Sequence, residues 1–72
     1  MKRIVKVSVF EFAITYTSLY YVYKYDEFNL KGKVVDTNRG ILFEKYILRL
    51  EGASEDIEMF LDYLKSVGFK IH

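Results

Sequence analysis

The residues able to do chemistry are few and widely spaced. The single histidine, His72, is the last residue, where a chain end is ordinarily frayed, which makes it a poor general base. With one histidine and no cysteine, the chain is not expected to hold a transition metal, and disulfides, thiolate chemistry and iron–sulfur ligation are excluded. Glu51, Glu55, Asp56, Glu58 and Asp62 could in principle surround a hard cation. Acids in a first helical turn, however, complement the helix dipole, and Asp62 four residues after Glu58 continues a solvated face. Ser8, Ser18, Ser54 and Ser66 have no histidine close in the chain to activate them, and none sits in a G-x-S-x-G elbow. Gly32, Gly40, Gly52 and Gly68 each stand alone, so no glycine-rich loop cradles a phosphate. A non-catalytic domain with no cofactor and no metal is expected.

The elements must therefore position a binding surface. A chain of 72 residues supports one core, so residues 1–72 are expected to form a single domain. Apolar residues at 51% and charges at 29% are a folding composition, not that of a disordered chain. Eleven Lys/Arg against ten Asp/Glu leave a net charge of +1, so any basic surface must be local. Lys6, Ser8 and Glu11 interrupt the apolar run that a signal peptide or membrane span would need, and a cytoplasmic protein with no membrane partner is expected.

Residues 4 to 12 alternate, with Val5, Val7 and Val9 on one side and Lys6 and Ser8 on the other, which predicts a half-buried strand. Tyr16, Leu19, Tyr20 and Tyr23 follow helical spacing within a segment rich in strand formers, and a helix from Thr15 or Thr17 to about Asp26-Glu27 is expected. Residues 29 to 37 read as a second strand, with Gly32 a bulge or a point of close approach. Asn38-Arg39-Gly40 supplies turn chemistry for a hairpin into a third strand, 41 to 51, with Leu42, Tyr46, Leu48 and Leu50 inward and Lys45, Ile47, Arg49 and Glu51 outward. Ser54 is the expected N-cap of a second helix whose core face is Ile57, Phe60, Leu61, Leu64 and Val67 and whose end is marked by Gly68. Phe69 and Ile71 alternate with Lys70 and His72 as a last strand. The order βαββαβ is an α+β, ferredoxin-like architecture: a four-stranded antiparallel sheet with two helices on one face.

Two surfaces stand out as binding candidates. Lys6, Lys31, Lys33, Lys45, Arg49 and Lys70 can all fall on the sheet face away from the helices, a basic platform on which nucleic-acid binders of this architecture add exposed aromatics from the two central strands. The positions offered there are Lys45 and Ile47 on the third strand and Lys6, Ser8 and Phe10 on the first. Lys31, Lys33, Lys45 and Arg49 are then the nucleic-acid-binding candidates, as an alternative to the reading below. In the tyrosine-rich helix, Tyr16, Leu19, Tyr20 and Tyr23 share a face, which leaves Tyr21 and Tyr25 exposed as an i, i+4 pair able to anchor a protein partner.

Phe28-Asn29-Leu30, Gly40, Phe43, the run ending Leu50-Glu51-Gly52, Ile57 to Tyr63-Leu64 and Gly68-Phe69-Lys70-Ile71 together resemble the NIL domain across roughly residues 3 to 72. That family is the regulatory module at the C-terminus of methionine-importer ATPase subunits, and it also occurs alone or beside ferredoxin domains in archaea. The resemblance implies a βαββαβ fold, a homodimer, and methionine or a related amino acid bound at the dimer interface near Asn29. A side-chain amide there can donate to a ligand carboxylate and accept from its amine.

Overall fold

The computed structural model describes the backbone of residues 1–10, 18–40 and 42–72, and the side chains of all of these except residues 18, 19 and 39. Strand β1 (Lys2–Phe10) is followed by a helix α1 (Ser18–Val22) that runs directly into a 3-10 helix (Tyr23–Phe28). Then come β2 (Lys31–Arg39), β3 (Phe43–Glu51), α2 (Ser54–Ser66) and a two-residue β4 (Lys70–Ile71). The sheet is antiparallel throughout, in the order β2-β3-β1-β4, with both helical segments on one face. This is the ferredoxin-like α+β architecture expected of the sequence.

The core forms because alternate residues of the central strands meet the apolar stripe of α2. Val5, Val7, Val9, Tyr46, Leu48 and Leu50 from the sheet are buried with Ile57, Phe60, Leu61 and Leu64. Val67 is half-buried. Gly68, at φ 107°, closes α2 in a Schellman turn: its N–H donates to the Lys65 carbonyl at 3.1 Å and that of Phe69 to the Leu64 carbonyl at 2.9 Å. The N-cap is Ala53 rather than Ser54, which enters the first turn of α2, and no side chain caps that end.

The tyrosine-rich segment departs most from expectation. Its possible caps Thr15 and Thr17, Tyr16, and the side chain of Leu19 lie outside the described residues. From Tyr23 onward the segment is a 3-10 helix, so residues three apart are aligned. Val22, Tyr25 and Phe28 therefore point together at α2, with the Tyr25 and Phe28 rings 6.4 and 5.4 Å from that of Phe60. Tyr21, expected outside, packs on the core with its ring 6.1 Å from that of Tyr63. Tyr21 and Tyr25 are thus both half-buried, and Tyr20 and Tyr23 take the exposed positions instead.

The β2–β3 hairpin is shifted by two residues from the expected turn. Asn38 and Arg39 belong to β2, opposite Lys45 and Glu44, and the turn closes with the Gly40 N–H donating to the Phe43 carbonyl at 2.7 Å. Leu42 lies in that turn, exposed, and Glu44 takes the inward position nearest the turn. Buried Glu44 accepts a short hydrogen bond from the Tyr46 hydroxyl two residues along the same face. Gly32 is a point of close approach: a Cβ there would lie 2.8 Å from the Tyr25 ring. The bulge itself falls at Val35, between the Val34–Leu48 and Asp36–Ile47 pairs.

Candidate functional site

The strand register lays out the open face of the sheet as rows of side chains, since directly paired residues point the same way. Nearest the hairpin, Phe10 of β1 stands opposite Phe43 of β3. The next row is Lys70, Ser8, Lys45 and Asn38, and the one after it is Lys6, Ile47 and Asp36 with His72 alongside. Ile4, Arg49 and Lys33 follow, then Lys2, Glu51 and Lys31. All the expected candidates, Lys31, Lys33, Lys45 and Arg49, are therefore on one face, together with Lys2, Lys6 and Lys70. Asp36 and Glu51 are the carboxylates among these rows, so a chain of net charge +1 presents a distinctly cationic sheet.

Phe10 and Phe43 pack as a tilted pair with ring centroids 4.3 Å apart, yet remain 52% and 39% exposed. Phe43 was not among the outward positions picked out from the sequence, although the Lys45–Ile47 alternation reaches it when carried two residues back. Beside the pair, Lys6, Asp36, Asn38, Lys45, Ile47 and His72 border a shallow depression of about 430 Å³.

His72 is not frayed. Its N–H donates to the Lys6 carbonyl at 2.9 Å, and its Nε2 lies 2.6 Å from Oγ of Ser8, a hydrogen bond between residues 64 apart that no local spacing could reveal. The pair is a serine–histidine contact, but Ser8 is buried and, among the described residues, no carboxylate orients the other ring nitrogen. Its evident effect is to fasten the last strand to β1.

On the helical side the aromatic residues are mostly tyrosines. Tyr20 and Tyr23 are exposed, Lys24 Nζ lies 4.3 Å above the Tyr20 ring and 2.9 Å from the Glu27 carboxylate, and the Tyr20 and Glu27 hydrogen bonds hold the ammonium well above the usual lysine range. Burial raises the Tyr63 hydroxyl above the ordinary tyrosine value. A smaller hollow of about 270 Å³ lies among Lys24, Glu27, Phe28 and Tyr63.

Asn29 is exposed and left-handed at φ 60°, ending the 3-10 helix with its N–H on the Asp26 carbonyl at 3.2 Å. Asparagine adopts this conformation more readily than most residues, so local geometry alone accounts for its residue type. It borders neither of the two hollows described above. Among the described residues, no group of three or more His, Asp or Glu side chains is placed to hold a metal, and no helix is long and apolar enough to cross a membrane. No protein-family model matches the chain, and no curated protein gives a match to it.

Proposed function

We propose that this domain binds single-stranded nucleic acid across the open face of its sheet. The observation that carries the reading is the exposed Phe10–Phe43 pair on the two central strands, at the end of rows of lysines and an arginine. Exposed rings offer a stacking surface to unpaired bases, and the cations beside them compensate the backbone phosphates. Paired bases cannot reach such a flat surface, so duplexes should bind weakly and without stacking. Fluorescence anisotropy with labelled eight-nucleotide RNA and DNA strands tests this. Affinity should fall with salt at a log–log slope of about −0.7 for each phosphate neutralised. Changing Lys31, Lys33 and Arg49 together to glutamate should abolish binding. No binding of any single strand at low salt sinks the proposal.

A second reading, from the resemblance to NIL domains, has the chain sensing an amino acid near Asn29 as a homodimer. What favours it is that two of the segments carrying the resemblance meet in space: Gly52 lies against Leu30 and the Asn29 carbonyl, where a Cβ would stand 2.5 Å from Leu30 Cδ2. Thermal unfolding with methionine at about a thousandfold excess over a micromolar constant should show roughly 4 kcal/mol of stabilisation. An unchanged midpoint rejects this reading alone.

A further inference from the structure

Asp36 is an anomaly on a cationic face, and it is there because of the bulge. Val34 faces the helices opposite Leu48, so in an unbroken strand Asp36, two residues on, would face them too. The extra residue at Val35 exchanges the faces, which puts Asp36 opposite Ile47 on the open side and at the rim of the depression. Lys6 and Lys45 border the same depression, yet Asp36 forms no ion pair among the described residues. An exposed carboxylate, its acceptors uncommitted among the described residues, stands beside an apolar floor, half-buried Ile47, two rows from the aromatic pair.

Resting on the nucleic-acid reading, we propose that this depression is a base-reading subsite selective for guanine. A carboxylate only accepts hydrogen bonds. Of the four bases, guanine alone presents two adjacent donors on its Watson–Crick edge, N1–H and the exocyclic amine, which match the two carboxylate oxygens. Adenine and cytosine set a ring acceptor beside their amine, and uracil flanks its single donor with two carbonyls, so each places a lone pair against the charge. The guanine O6 takes a donor from the next row, where the Asn38 amide and the Lys45 ammonium border the same hollow. The base face lies on Ile47, and a base further along the strand, two rows away, stacks on Phe10 and Phe43.

Anisotropy titrations compare an all-uridine octanucleotide with octamers carrying one central guanosine, adenosine, cytidine or inosine. The guanosine strand should bind roughly tenfold more tightly than the others, the discrimination a good bidentate contact supplies. Inosine, which lacks the exocyclic amine, should lose most of that gain. Asp36→Asn, which sets an amide donor where the base also donates, should erase the preference while all-uridine RNA still binds. Equal affinity of the wild type for all five strands overturns the guanine subsite and leaves nucleic-acid binding standing. An Asp36→Asn variant that gains affinity equally for every strand overturns it as well, since the carboxylate would then act only as a repelling charge. Failure of every strand to bind overturns both.

Discussion

Toward the helices, β1 and β3 present Val5, Val7, Val9, Leu48 and Leu50, all buried; toward solvent, the same two strands present Ile4, Phe10 and Phe43 with 65%, 52% and 39% of their surface exposed. Every apolar group on the first side has a helix or a neighbouring strand to pack against. On the second side Phe10 and Phe43 make their ring contacts, among the described residues, only with each other, and Ile4 stands between the Lys2 and Lys6 rows. Burial accounts for the residue types of one face, whereas the large apolar groups of the other leave much of their surface in water, which gives folding little reason to keep them. The difference separates residues that hold the domain together from residues available to a ligand.

The hardest test of that separation is Phe60→Ala. Phe60 is fully buried beneath Tyr25, Phe28 and Tyr63, and its truncation should cost about 3–5 kcal/mol in urea unfolding, enough to leave so small a domain largely unfolded. Phe10→Ala and Phe43→Ala should instead cost about 1–2 kcal/mol of stability, for the lost pair contact and the partial burial of each ring, well below Phe60→Ala. They should weaken single-strand binding by about 1–3 kcal/mol per base stacked. If either open-face change destabilises as much as Phe60→Ala, the contrast between the faces fails.

Gly32→Val probes the junction between the layers. Its side chain would meet the Tyr25 ring, and a loss of about 1–3 kcal/mol is expected, with Tyr25 displaced outward. A neutral outcome would show that the wall formed by the 3-10 helix is not seated as described. Gly68→Ala should cost about 1 kcal/mol, because an L-residue is strained at φ 107°.

The smallest expected effect is with alkali. Burial favours the protonated Tyr63 phenol, so its pKa is higher in the folded than in the unfolded chain. The contribution is complete below the unfolded value near 10 and is lost as pH rises through the folded one. Tyr63→Phe should flatten the fall in stability above pH 10 that the wild type shows in denaturant titrations. An identical alkaline profile in both proteins would remove Tyr63 as its source.

The layered fold was legible because burial imposes a period. Valines at every second position of β1 and the Ile57-Phe60-Leu61-Leu64 stripe of α2 can each be satisfied in only one way. The tyrosine segment resisted because α and 3-10 spacing differ by only about 20° per residue, too little for aromatic spacing to distinguish, yet enough to turn Tyr25 from solvent to core. The open face was half legible. Its lysines follow from alternation, and so does Phe43 once the Lys45–Ile47 alternation is carried back to the start of the strand, but Asp36 reaches it through a bulge that no glycine marks. The Ser8–His72 contact spans nearly the whole chain and leaves no local trace.

The sorting of aromatic types has an optical consequence. The chain has seven tyrosines and no tryptophan, and the described ones, Tyr20, Tyr21, Tyr23, Tyr25, Tyr46 and Tyr63, are all absent from the rows of the open face, where the rings are phenylalanine. Among the described residues, ultraviolet emission and near-ultraviolet dichroism therefore arise from the helical segments and from inward-facing Tyr46, not from the open face. With the strand's own signal subtracted, an oligonucleotide seated on the phenylalanines should leave the tyrosine dichroism nearly unchanged, whereas a protein docking over Tyr20 and Tyr23 should alter it. Without any label, the molecule's own chromophores report which of its two sides has been engaged.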